Sequence, residues 1–299
     1  MTSRVVYTAL FGSTEVLLEQ EVAQSSALRF VCFTDNPSLT SSTWEIVLVE
    51  PLFAADPRAS QRDIKIRGHQ ELEAYDEWLY LDNTVRLKVT PEVIVDEWLS
   101  GADWAAISHD AHKTLWEEFE VNLEKNKDTA TRLNEQLLDY STHYRSVLDE
   151  HPLWNGLFAR RRNTEVEAFT TRWFDHVLRY SSRDQLSVLV ALAQSNIRLN
   201  RIEAKVRNSR WHDWPHRVGE TSASKKTRHA KNEGLQPLAD ELAAARAQLS
   251  EAEGALVEAH STIRRLRDRQ LLGFRGLIGR LGEARAEQRR ARRRAKKRR

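Results

Sequence analysis

Short apolar runs, each closed by a turn signal, alternate with amphipathic stretches through the first two thirds of the chain. Val5 to Phe11 and Leu28 to Thr34 are rich in β-branched and aromatic residues and stop at Gly12 and at Asp35-Asn36-Pro37, so both are expected strands. Trp44 to Val49, Glu77 to Asp82 and Trp104 to Ser108 repeat the pattern. Between them, Arg62 to Tyr75 sets Ile64, Ile66, Leu72 and Tyr75 at helical spacing, and Pro91 to Leu99 opens with a proline where a first helical turn tolerates one. Strands separated by helices predict an α/β domain built on a mostly parallel sheet with flanking helices.

Further along, Lys113 to Arg145 reads as charged helices whose apolar members are Trp116, Phe119, Leu123, Leu133, Leu137 and Tyr140. Leu157-Phe158-Ala159 leads into Arg160, Arg161 and Arg162, read as a solvated basic cluster in preference to a site for an anionic acceptor. Val166 to Arg179 gathers Phe169, Trp173, Phe174 and Val177 on one helical side, and a further helix is expected from Ser182 to about Asn196. The domain is expected to span residues 1–218. Residues 219–237, rich in Ser, Lys, Gly and Asn, form a linker. Over 238–270, Leu242, Leu249, Leu256 and Ile263 recur as heptad a positions with mostly alanine at d, which predicts a coiled coil or else a single amphipathic helix. Residues 271–299 add an apolar stripe and then a polybasic run from Arg289 to Arg299.

Charge divides the chain in the same place. The net charge of +3 conceals 25 Lys+Arg against 33 Asp+Glu in residues 1–218 and 21 against 10 in residues 219–299. All nine Trp lie in the first part and only Phe274 is aromatic in the second, so the packed core belongs to the first. An amphipathic segment joined to a basic run is the two-signal arrangement for an anionic membrane surface. Nucleic acid is disfavoured, since the tail has no aromatic stacking residues. The single cysteine, Cys32, sits in an expected strand without a disulfide partner, the start of the chain lacks a signal-peptide pattern, and no apolar stretch is long enough to span a bilayer. The expected location is cytoplasmic, peripheral at the inner face of the plasma membrane. The absence of Gly-x-Gly-x-x-Gly and of a P-loop argues against dinucleotide enzymes and NTPases.

Several segments occur in one order: Tyr7-Thr8-Ala9-Leu10-Phe11-Gly12, Cys32-Phe33-Thr34-Asp35, Thr43-Trp44-Glu45-Ile46, Arg62 with Lys65, Tyr80-Leu81-Asp82, His109, the Trp173 helix, and Ser182-Arg183-Asp184-Gln185-Leu186-Ser187. This ordered set resembles the hexosyltransferases of the turgor-regulation-defect and mucilage-related group over roughly residues 4–218. The resemblance implies a GT-A-like fold and transfer of a hexose from a nucleoside diphosphate sugar, with a glycan or surface polysaccharide as the expected acceptor and lipid-linked acceptors within reach if the basic tail meets a membrane.

The resemblance also implies roles. Asp82 becomes a ligand for a divalent cation, manganese or magnesium, that neutralises the leaving diphosphate. Where GT-A enzymes commonly have Asp-x-Asp, this chain has Asp82-Asn83-Thr84, so the second ligand is missing or replaced by the hydroxyl of Thr84, and a late histidine, His216 in preference to His212, completes the set or else sits satisfied on a loop. The other reading of Asp82-Asn83 is a turn after a strand. Thr8, Ala9, Phe11 and Gly12 at the first strand end, with Asp35 after the second, are expected to hold the donor nucleotide. Arg62 and Lys65 share a helix face suited to diphosphate oxygens, or else a solvated face. Asp184 is expected to orient an acceptor hydroxyl or serve as general base, with Gln185 beside it, although Ser182-x-x-Gln185 also fits a capping box. His109 is expected to contact the sugar or to cap; His109-Asp110-Ala111-His112 lacks the helical spacing of a zinc site. The competing function is a non-catalytic sugar-nucleotide-binding scaffold whose helical tail assembles partners or a homo-oligomer, or binds nucleic acid.

Overall fold

The computed structural model describes residues 2–12, 16–214, 244–262, 264–265, 281–283 and 286–287. The chain divides into two units, residues 1–233 and 234–299. In the first unit the elements run β1 (Arg4–Leu10), β2 (Arg29–Thr34), β3 (Glu45–Leu48), α1 (Pro57–Arg67), β4 (Glu77–Leu81), β5 (Arg86–Leu87), α2 (Pro91–Trp98), β6 (Trp104–Ser108), α3 (Leu115–Glu124), α4 (Ala130–His143), β7 (Leu153–Arg161), α5 (Thr164–Arg179), α6 (Val188–Ala193), β8 (Leu199–Ile202) and β9 (His212–Asp213).

Seven strands form one sheet in the order β3-β2-β1-β4-β7-β6-β8, and β5 pairs with β9 apart from it. Within the seven-stranded sheet every neighbouring pair is parallel except those made by β7, which runs against β4 and β6. The sheet is therefore mostly parallel, as expected of a GT-A-like domain. Its strands show the two-residue period of a sheet covered on both sides. Val5, Tyr7, Ala9, Val31, Phe33, Trp78, Tyr80 and Trp104 enter one buried cluster, while Val6, Leu10, Phe30, Cys32, Leu79, Leu81, Ala105 and Ile107 enter another. The first cluster includes residues of α1, α3, α4 and α5 and the second includes Ile94, Val95 and Trp98 of α2. Cys32 is fully buried and burial pushes its thiol up to about 12, so it is an inert core residue.

Three expectations are corrected. The first helix starts at Pro57 rather than Arg62, because Asp56 accepts from Ala59 N–H at 2.9 Å and Pro57 occupies the first turn; it ends at Gly68, whose φ of +88° no branched residue adopts cheaply. The stretch from Ser182 does not form one long helix. It makes a single 3₁₀ turn, Asp184–Leu186, followed by the short α6. Arg160 and Arg161 end the central strand β7 and Arg162 beyond it is exposed, but Arg160 departs from the expected solvated cluster, being 3% exposed. Its guanidinium donates to the carbonyls of Ile66 at 2.6 Å and Arg67 at 3.0 Å and lies 4.1 Å from the Trp78 ring centroid. It thus satisfies carbonyls at the C-terminus of α1 while stacking on an indole. A cation with those partners is structural, not solvated.

In the second unit residues 244–262 are helical, with Leu249 and Leu256 of the heptad seam exposed. The linker at 219–237 and the basic run at 289–299 lie outside the described residues. Among the described residues no helix is long and apolar enough to cross a membrane.

Candidate active site

The C-terminal ends of β1, β4 and β6 share one edge of the sheet, and the reversed β7 contributes its start there. A cleft of about 1030 Å³ opens at that edge, lined by Ala9 and Phe11 after β1, by Arg58, Gln61, Arg62 and Lys65 of α1, by Asp82 to Thr84, by His109 to His112, by Asn155 and Gly156, and by Ser182 to Gln185. Crevices beyond parallel strand ends are where open α/β sheets bind ligands.

At its centre lies a charged network. Lys65 is 2% exposed, and its Nζ stands 2.9 Å from Asp184 Oδ2 and 3.1 Å from Asp82 Oδ1, 5.1 Å from the centroid of the Tyr80 ring. Arg62 Nε lies 3.5 Å from Asp184 Oδ1. Gln61 donates to the Tyr80 hydroxyl at 2.9 Å, and that hydroxyl donates to Asp82 Oδ1 at 2.7 Å. Burial, with the charge of Asp82 beside it, keeps Tyr80 protonated far above the ordinary phenol range, so it stays a donor. Burial alone would raise the Asp184 carboxyl, but Arg62 and Lys65 outweigh it and hold the group at about 2. Asp184 is therefore ionised at neutral pH, an acceptor of hydrogen bonds and only a weak base. Its turn is tied from two sides. Trp173 Nε1 donates to the Asp184 carbonyl at 2.9 Å, and Asp128 Oδ2 accepts from Ser181 Oγ at 2.8 Å, Ser182 N–H at 2.8 Å and Ser182 Oγ at 3.0 Å. Ser182 is thus spent on Asp128, and the expected capping box does not form; Gln185 Oε1 instead accepts from Arg183 at 3.3 Å.

The expected cation set is not assembled. Asp82 Oδ1 already faces an ammonium, which repels a divalent ion from the same oxygen, and Thr84 Oγ1 accepts from Trp214 Nε1 at 3.1 Å. His216 lies outside the described residues. His212, the other histidine of that segment, is buried, with Nε2 at 2.8 Å from the Val206 carbonyl and Nδ1 at 2.8 Å from Ser209 Oγ. The Asp82–Thr84 pair as it stands does not fit a divalent cation.

A different group gathers donor atoms elsewhere on the lining of the cleft. His109, His112 and Glu118 each bring one ligand atom within 4.8 Å of the others. The two imidazoles stack at 4.4 Å and 9°, burial lowers the pKa of His109, and Glu118 Oε2 is hydrogen-bonded to His112 Nδ1 while Glu118 Oε1 accepts from Asn122 Nδ2 at 2.8 Å. Parallel rings do not converge on one ion, so this arrangement suits a carboxylate-oriented imidazole better than a metal. From the sequence His112 was weighed only beside His109 and Asp110, and Glu118 was not singled out, because it lies six residues on, across a loop and the first turn of α3, a spacing with no motif.

The nucleotide-side expectations separate. Ala9 and Phe11 line the cleft, whereas Thr8 is wholly buried and Asp35 Oδ1 accepts from Gly12 N–H at 3.0 Å, tying together the tips of β1 and β2. Gly12 has φ +78°, which accounts for glycine there, and neither Gly12, Thr8 nor Asp35 lines the cleft. Arg58, Gln61, Asn155 and Arg183 line it without having been anticipated. A signal for Arg58 was present in the four-residue spacing that puts it on the face of Arg62.

No curated protein matches the chain. Among solved structures, core-mannan synthase A from Aspergillus fumigatus, in a Mn/GDP form, is similar over 64% of this chain and 69% of that one, at 10% identity and a TM-score of 0.38. The family model of the TOD1/MUCI70 glycosyltransferase-like domain matches residues 34–216, which hold β3 through β9 and nearly the whole lining of the cleft. The chain belongs to the TOD1/MUCI70 glycosyltransferase-like domain family.

Proposed function

We propose that this protein transfers a hexose from a nucleoside diphosphate sugar to a glycan or lipid-linked acceptor. The observation that carries the reading is the buried Lys65 bridging Asp82 and Asp184 on the wall of a large cleft at the strand tips. Such a network costs desolvation and is kept where charge must be fixed in place before a ligand arrives. Arg58 and Arg62 meet the diphosphate, whose charge grows as the glycosidic bond breaks. Asp184 orients a hydroxyl by accepting its hydrogen bond. Glu118, bonded to His112 through Nδ1, leaves Nε2 of that ring to take the proton of the attacking hydroxyl. No step is assigned to a divalent cation, since Asp82 is already paired.

Beyond the domain, the heptad stretch would join copies of the chain, and the basic run would bring it to anionic lipid on the cytoplasmic side, within reach of lipid-linked acceptors. The scaffold reading draws on one observation, the neutralisation of Asp82 inside the fold. Thermal unfolding of the full chain against nucleoside diphosphates and nucleotide sugars, with and without manganese, separates the two when joined to product analysis. A stabilising nucleotide sugar that is also consumed supports the transferase. Stabilisation without consumption supports the scaffold, and no response to any compound removes both.

A further inference from the structure

The pairing of β6 with β7 slips in the middle. Ile107 stands opposite Trp154 and Ala106 opposite Phe158, so Asn155, Gly156 and Leu157 have no partner on β6. On its other side β7 stays in register with β4 through Leu81 and Leu157, and Asp82 N–H donates to the Gly156 carbonyl at 2.8 Å. The bulge is thus built against the strand tip that carries Asp82. Bulges of this kind re-aim side chains beside functional sites. Gly156 is required, since a Cβ there would stand 2.2 Å from the Trp154 ring.

Asn155 lines the cleft and is 1% exposed, yet neither its Oδ1 nor its Nδ2 has a hydrogen-bond partner among the described residues. Leaving a buried amide unpaired is costly, and native folds seldom keep one without a use. A neutral group with two donors and an acceptor suits a neutral polyol, whose hydroxyls also donate and accept. Phosphate oxygens are better served by Arg58 and Arg62, which also line the cleft. Building on the transferase reading above, we infer that Asn155 binds hydroxyls of the glycosyl group held beside Asp82 and selects among sugars. A site made to hydrogen-bond a hydroxyl discriminates strongly against a sugar that misplaces it, because the protein group is then left unpaired.

Asn155→Leu keeps the volume and removes the amide. In the full chain it is expected to leave the melting temperature of the ligand-free protein equal or higher and the Kd for a nucleoside diphosphate within about twofold. The tighter binding of the matching nucleotide sugar over that diphosphate is expected to shrink at least tenfold, and preference between epimeric nucleotide sugars to vanish. Asn155→Ala gives the same comparison if leucine does not pack. A wild-type sugar increment and epimer preference in either folded variant overturn the inference while leaving the transferase reading intact. Failure of the wild-type protein to bind any nucleotide sugar is a different pattern and overturns the transferase reading on which the inference rests.

Discussion

Replacing Lys65 with methionine removes one cation from between two carboxylates while keeping an unbranched chain of similar length. Asp184 is the group most affected, being 3% exposed and left with Arg62 at 3.5 Å as its nearest cation. Its carboxyl lies at about 2 against an ordinary 3.8, a net of roughly 2 kcal/mol at ~1.4 kcal/mol per unit that remains after burial, which raises the group, is outweighed by Arg62, Lys65 and Arg183. Breaking a buried pair by removing one partner adds the cost of an uncompensated charge, for a total of about 3–5 kcal/mol. That is a large part of the ~5–15 kcal/mol that holds a domain folded. The sign with pH follows from linkage. In the wild type the folded carboxyl is depressed, so its contribution is full above about pH 4 and is lost as pH falls through about 2. Lys65→Met raises the folded value, so the deficit is greatest at pH 7 and shrinks below pH 4, where Asp184 protonates. Urea unfolding followed by tryptophan fluorescence reports on the first unit, since all nine Trp precede Gly219. The double variant Lys65→Met/Asp184→Leu is expected to regain most of the loss by removing the stranded charge. A deficit below about 1 kcal/mol, or one equal at pH 7 and pH 3, would refute the reasoning.

Three further expectations test the frame around the site. Gly68→Ala puts a Cβ 2.3 Å from the Trp78 ring and 2.8 Å from Arg160 at a positive φ, so thermal unfolding should show a loss of about 2–4 kcal/mol. Asp128→Ala removes the acceptor of three hydrogen bonds from Ser181 and Ser182; it should cost about 2–3 kcal/mol and, by loosening the Asp184 turn, lower turnover at least tenfold, as read by stability and rate measurements on one preparation. Asp82→Asn weakens its pairing with Lys65, and a fall in kcat with near-normal circular dichroism is the expected pair of results.

Much of the fold was legible because buried strands have compositional edges. The Trp104 to Ser108 run matches β6 residue for residue, and Pro91 marks the start of α2. β7 was missed for a physical reason. It contains a glycine bulge and ends in arginines that usually signal solvent. Arg160 shows how a charge can be core when α1 presents unpaired carbonyls and Trp78 presents a ring. For the site, Arg62, Lys65, Asp82 and Asp184 were all named from sequence, yet their mutual pairing was not, since Lys65 reaches partners 17 and 119 positions away. That pairing changes their chemistry, engaging Asp82 Oδ1 with an ammonium and keeping Asp184 ionised. Asn155 had no signal at all, because a bulge is a property of register between strands.

The most direct test of the central claim is release of nucleoside diphosphate from a panel of nucleotide sugars by the purified full chain, compared with Asp184→Asn of confirmed fold. The account predicts release from one donor class, reduced at least a hundredfold in the variant. Undiminished release by Asp184→Asn, or none from any donor by the wild type with acceptor glycans present, would contradict it.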